Sequence, residues 1–191
     1  EIRESAGDTQ DKSFDRIMRR TDQAVQQMIG LANIHLTSRH PVEINTIIEK
    51  AIADLKKDAD AKSVSIQFKN ESSVIVFGDS HQLHRVVYAL LATSIDSCKP
   101  AESAIAITTE NKTDACHIIL RDNGKGMSPM QCESLTDNVV ANVGLGMNGI
   151  MLAHAFAVIK SHGGTISVQS EEDKGTAFTI KLPQQQRAAV T

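Results

Sequence analysis

Asp122-Asn123-Gly124-Lys125-Gly126-Met127 follows a strand-like run at 116–121 and bends sharply at two glycines one residue apart. Glycine tolerates positive φ and lets backbone come close to a flat partner. A carboxylate leaving a strand at such a bend is expected to point inward, where it can accept a hydrogen bond from an exocyclic amine such as that of adenine. Taken alone the pattern is weak, because Asp-Gly and Asn-Gly are ordinary turn formers.

Its neighbours strengthen it. A second glycine cluster, Gly144-Leu145-Gly146-Met147-Asn148-Gly149, stands just before a helical pattern at 150–161, where helix N-terminal amides can receive phosphate oxygens. A third, Lys174-Gly175-Thr176, follows His162-Gly163-Gly164.

Working outward, Ile44, Ile47, Ile48, Ala51, Ile52 and Leu55 fall on one helical face that ends at the charged cluster Lys56-Lys57-Asp58. Val64, Ile66 and Phe68 alternate with polar residues, and residues 74–77 are a short apolar run. Both read as strands. Leu83, Val86, Val87, Leu90, Leu91 and Ile95 return to helical spacing, with Asp79 or Ser80 as cap. Residues 104–109 and 116–121 form two further strands, and a last hairpin over 165–170 and 176–182 turns at 173–175. Strand pairs separated by helices predict an α/β fold, a two-layer sandwich with a mixed sheet covered by helices.

Upstream, Phe14, Met18, Thr21, Val25, Met28, Ala32 and His35 recur at alternating steps of four and three. This is a heptad seam, and it predicts a coiled-coil-like helix that pairs in cis or between chains; one amphipathic helix packed on a core is the alternative. The expected division is a helical region over 1–40, the α/β domain over 41–183 and a flexible tail over 184–191.

Composition narrows the function classes. At 41% hydrophobic and 23% charged residues with a net charge of -3, the chain is an ordinary globular one. It lacks a cationic field, so no nucleic-acid partner is expected. No apolar run approaches the ~20 residues of a membrane span, so no direct membrane contact is expected, and cytoplasmic localisation is, as a free protein or as the cytosolic part of a membrane-bound sensor. Cys98, Cys116 and Cys132 are odd in number and far apart, which suits reduced bystander thiols. The chain opens at Glu1 without a signal peptide and is expected to be a piece of something longer.

In order and spacing these motifs resemble the ATP-binding catalytic domain of sensor histidine kinases, within the ATPase group shared with gyrase, the Hsp90 chaperones and MutL. Residues 81–87 are similar to that family's asparagine-box helix, 122–127 to its first glycine box, 144–149 to its second and Gly175-Thr176 to its last. The N-terminal seam looks like the second helix of the dimerisation and phosphotransfer hairpin. The resemblance implies ATP and Mg2+ as cofactors, with the nucleotide bound by Asp122, Gly124, Gly126, Gly144, Gly146, Gly149 and Thr176. It also implies a homodimer through the N-terminal helix and a response-regulator receiver domain as partner. The implied function is transfer of the ATP γ-phosphate to a histidine outside this chain and then to the regulator.

Two departures bear on that function. Where the family has N-L-L-x-N, this chain reads Ala89-Leu90-Leu91-Ala92-Thr93, leaving Thr93 as the single expected metal ligand unless its hydroxyl back-bonds on its own helix. The segment expected to form the lid, 128–143, is short and lacks the family's aromatic motif, and Met147 and Met151 replace glycines common in relatives. None of the seven histidines matches the phosphoacceptor pattern; His162 is expected to be structural, and His81, His84, His117 and His154 to hold no metal. The alternative reading is therefore a degenerate pseudokinase or phosphotransfer scaffold. A serine kinase of the anti-sigma-factor type shares the fold but needs no heptad hairpin.

Overall fold

A computed structural model describes residues 39–70, 73–99, 103–112, 115–136 and 146–184. The N-terminal seam, Gly144 and the tail beyond Gln184 lie outside the described residues. The element order is β1 His40–Glu43, α1 Ile44–Asp54, α2 Lys56–Ala61, β2 Ser65–Asn70, β3 Ile75–Gly78, α3 Ser80–Ser97, β4 Ala104–Asn111, β5 Ala115–Asp122, α4 Pro129–Thr136, α5 Gly146–Ser161, β6 Thr165–Glu171 and β7 Gly175–Pro183.

Five strands form one sheet in the order β2-β4-β5-β7-β6. β2 runs parallel to β4 and every other neighbouring pair is antiparallel, so the sheet is mixed. Its period-2 alternation buries one face. In β5 the inward positions are Cys116, Ile118, Leu120 and Asp122; in register with them on β7 stand Leu182, Ile180, Phe178 and Thr176. Ile105, Ile107 and Thr109 of β4 continue these rows, and all three are fully buried or nearly so.

Helices cover that face. α3 lies in the middle, touching α1 on one flank and α5 on the other. Its Leu83, Val86, Leu90, Leu91 and Ile95 are buried, each removal from water being worth about 1.5–3 kcal/mol. The α3 cap is Asp79, whose Oδ1 accepts the amides of His81 and Gln82, both at 2.9 Å. The expected two-layer sandwich is what the chain forms.

Three local expectations change. The apolar segments 64–68 and 74–77 are strands but not partners: β2 joins β4, whereas β3 pairs with β1 in a separate two-stranded ribbon. The charged cluster at 56–58 does not end the helical region; it opens α2, held because Leu55 and Ala59 are both buried. α5 begins at Gly146 rather than 150, so the second glycine cluster lies partly inside the helix. Gly149 is buried there, and a glycine's poor helix propensity is outweighed where the missing side chain permits close packing.

Candidate functional site

The pleat of β5 fixes the direction of its last side chain. Asp122 shares parity with Leu120 and Ile118, so its carboxylate points under the helices, where the residue is 8% exposed. Oδ1 accepts the amide of Gly124 at 2.9 Å and that of Thr176 at 3.3 Å. The Ser97 hydroxyl lies 3.3 Å from the same oxygen and 2.9 Å from the Ser94 carbonyl, which compete for its proton. Oδ2 accepts the Ser94 hydroxyl at 2.7 Å. A carboxylate oxygen offers about two lone-pair positions. Oδ1 is therefore saturated, while Oδ2 keeps capacity for one more donor.

Above the carboxylate is a cavity of about 80 Å³ whose lining includes Thr93, Gly126, Met127, Asn148, Thr176 and Phe178. The structure thus brings Asp122, Gly126 and Thr176 together with Thr93, and sets Gly124 directly behind Asp122. Gly146 and Gly149 lie in the first turns of α5, the helix that supplies Asn148 to the lining.

The glycines serve a purpose beyond the one expected. Gly126 has positive φ (67°), but a side chain there would meet the Glu171 carbonyl at 2.0 Å, against the β6–β7 hairpin rather than a ligand. Gly124 is not in the left-handed region; a Cβ on it would meet Ser97 Oγ at 2.2 Å. Both glycines let the Asp122 turn close on its supports. The turn is further tied by Lys125 N–H to the Ser97 carbonyl at 3.0 Å and by Asp173 N–H to the Lys125 carbonyl at 2.8 Å.

Ser94, Ser97 and Asn148 were missed by sequence reasoning. One signal was available: Ser94 and Ser97 are i, i+3 on α3 and so share a face. Thr93 is 8% exposed and donates its hydroxyl proton to the Ala89 carbonyl at 2.8 Å, the back-bond that its residue type permits. Ser94, one residue on, bonds Asp122 instead. Asn148, also in the lining, reaches Asp96 Oδ2 with its Nδ2 at 3.5 Å, and Lys62 holds Asp96 Oδ1 at 2.5 Å.

Neither His162 nor any of the three cysteines lines this cavity. His162 is buried; its Nε2 accepts Asp79 N–H at 3.0 Å and its Nδ1 donates to the Val158 carbonyl at 2.8 Å, joining β3 to the end of α5. Burial pushes the Cys116 thiol up to about 12 and raises Cys98 and Cys132 as well, so none is an activated nucleophile. Among the described residues no group of three histidine, cysteine or acidic side chains could hold a metal. No described helix is long and apolar enough to cross a membrane.

Comparison with known proteins agrees with this architecture. The chain is 28% identical over 159 residues to sporulation kinase B of Bacillus subtilis, covering 83% of this chain and 37% of that protein. It is 30% identical over 166 residues to the sensor histidine kinase ZraS of Salmonella typhi, covering 86% of this chain and 35% of that one. The chain thus spans little more than a third of these relatives. Among solved structures, histidine kinase ThkA in complex with the response regulator protein TrrA superposes with a TM-score of 0.72 at 15% identity, over 90% of this chain and 49% of that one. Residues 78–186, more than half of the chain, match the family described as histidine kinase-, DNA gyrase B- and HSP90-like ATPase. The chain belongs to that family, and its α/β region is the ATP-binding catalytic domain of the sensor histidine kinase type.

Proposed function

We propose that this chain is the nucleotide-binding core of a two-component sensor histidine kinase, delivering the ATP γ-phosphate to a histidine outside residues 1–191 and onward to a response-regulator receiver domain. The observation that carries the proposal is the buried Asp122 carboxylate, with Oδ2 left able to accept one more donor beside a cavity that Thr176 and Gly126 help line. An adenine amine fills that requirement. Gly124 and Thr176 hold the acceptor, and Gly146 and Gly149 in the first turns of α5, with Gly144 ahead of them in the chain, are our candidate phosphate contacts. The ThkA complex with TrrA supports a response regulator as the class of partner. Dimerisation is assigned to residues 1–40, whose heptad seam needs a partner helix.

Magnesium fits this chain poorly. It seeks oxygen ligands in near-octahedral geometry, whereas Ala89 offers none and the Thr93 hydroxyl offers one neutral oxygen whose proton is committed to Ala89. Thr93 is our candidate metal ligand, and a single ligand implies weak coupling between metal and nucleotide. That same observation favours a second reading, a degenerate pseudokinase or phosphotransfer scaffold that binds a partner with weak or no nucleotide turnover.

Calorimetric titration with ATP and ADP, with and without magnesium, tests both. We expect binding of both nucleotides with little magnesium dependence, weakened about 100-fold in Asp122→Ala. A folded wild-type chain that binds neither nucleotide would overturn the kinase reading and leave the scaffold.

A further inference from the structure

α1 packs on α3 and runs through Leu55 into α2. Across this join two stripes of side chains spaced four apart face each other, Asp54, Asp58 and Lys62 against His84, Tyr88, Ala92 and Asp96. Contacts at three rungs set their register. Asp54 Oδ2 lies 3.0 Å from His84 Nε2, and Lys62 Nζ lies 2.5 Å from Asp96 Oδ1. Between them, burial and then the nearby carboxylates of Asp58 and Asp54 raise the pKa of the Tyr88 phenol, which places Asp58 beside it.

The middle of this ladder is open. Ala61 and Ala92 leave a cavity of about 280 Å³ whose apolar wall also includes Leu55 and Ile95, close to the lower bound of small-molecule sites. No residue lines both this cavity and the one beside Asp122, because α3 turns Thr93 and Ser97 to one and Ala92 and Asp96 to the other. The polar groups of the lining are not equally committed. Lys62 is engaged by Asp96 and by the Ile95 carbonyl at 3.4 Å. The Asp58 carboxylate and the Tyr88 hydroxyl have no hydrogen-bond or ion-pair partner among the described residues. A carboxylate, a phenol and an aromatic ring beside an apolar wall suit a positive head on a short apolar stem; an anion would meet the charge of Asp58.

We propose that this groove binds a small organic cation, its ammonium or guanidinium head between Asp58 and Tyr88 and its stem against Leu55, Ala92 and Ile95. The lining runs along α3 from Tyr88 to Asp96, about 12 Å of helix. At the Asp96 rung the ammonium of Lys62 repels a second positive head, so an alkyl monoamine fits better than a diamine. The site lies on a different face of α3 from Thr93 and Ser97, and the inference does not depend on nucleotide binding.

The chain has one tyrosine and no tryptophan, so its intrinsic emission reports on Tyr88 alone. Titration of the full 191-residue chain with n-butylammonium chloride, ionic strength being held constant with sodium chloride, should give a saturable change. Half-saturation is expected near about 1 mM, the range open to so small a ligand. Asp58→Asn, at an exposed position, should raise that concentration about tenfold. Ala92→Leu fills the groove and should remove the change. Butyrate and n-butanol carry the same stem on an anionic and a neutral head, and neither should saturate. Absence of a saturable change with butylammonium overturns the proposal, as does an unmoved half-saturation in Asp58→Asn. So does n-butanol binding as well as the amine, since the groove would then select an apolar stem and not a charge.

Discussion

The two ends of the proposed nucleotide cavity are built to different standards. At the base end, Asp122 is fixed by contacts from the α3 hydroxyls, its own turn and β7, and Gly124, Gly126 and Gly175 let these elements meet. Elsewhere in the lining, Thr93 turns its hydroxyl back on its own helix, and Asn148 reaches Asp96 at 3.5 Å among the described residues. Recognition of a base needs one fixed acceptor and a wall, and both are there. Handling a charged phosphate chain needs positioned oxygens and cations, and the described residues supply few. The chain should therefore separate base binding from phosphate handling.

The largest expected effect comes from breaking the strong end. Asp122→Ala removes a charged acceptor, worth about 1.5–3 kcal/mol to a ligand donor, so ADP affinity by calorimetry should fall about 100-fold. It also leaves the amides of Gly124 and Thr176 without their carboxylate. Thermal unfolding should register a loss of about 2–4 kcal/mol. Asp122→Asn should keep much of the stability but not the affinity, because one amide position donates where the ligand also donates.

Next in size is a pH effect in α5. His154 is 4% exposed, neither ring nitrogen has a hydrogen-bond partner, and burial, with Arg85 adding to it, lowers its pKa to about 4 from 6.5. The unfolded chain takes up the proton near 6.5 and the folded one only near 4. Stability present above pH 6.5 is therefore lost as pH falls toward 4, by up to about 3 kcal/mol. Urea unfolding of His154→Leu across that window should show a shallower pH slope than wild type. An equal slope would mean that His154 finds a partner on protonation.

A smaller contrast isolates backbone fit. Gly175 and Gly163 both have positive φ, 96° and 74°, but a Cβ on Gly175 would meet the Asp122 carbonyl at 2.0 Å, while on Gly163 its nearest neighbour is Pro183 Cγ at 3.7 Å. Gly163→Ala should cost about 1 kcal/mol for conformation alone. Gly175→Ala should cost about 2 kcal/mol or more and weaken ADP binding, because the obstructing atom belongs to Asp122.

The same contrast between ends governs what was legible in the sequence. Inward aim of Asp122 follows from strand parity, and the α3 core from its periodicity; both are local consequences of spacing. The pairing of β3 with β1 rather than β2 is not local, since apolar alternation says that a strand exists and not which edge receives it. Nor could spacing tell Thr93 from Ser94. They are adjacent hydroxyls about 100° apart around a helix, and the partner of each is set by where β5 crosses beneath. Gly146 and Gly149 were read as a loop because glycine has poor helix propensity, whereas α5 begins at Gly146. The glycine motif itself was legible, but its purpose, closing a turn on its supports, needed the neighbouring backbone.

The smallest effect probes the weak end directly. Asparagine at positions 89 and 93 would supply amide oxygens to a hard cation, so the double variant Ala89→Asn/Thr93→Asn should bind ATP more tightly when magnesium is present, by a few-fold, about 1 kcal/mol. Binding of ADP without metal should stay as in wild type, because Ser94 and Asp122 are untouched. The buried site at 89, 4% exposed, makes some loss of stability certain to accompany the change, and Thr93→Asn alone, at the cavity wall, controls for it. If magnesium dependence does not move in either variant, the metal position does not lie over Thr93.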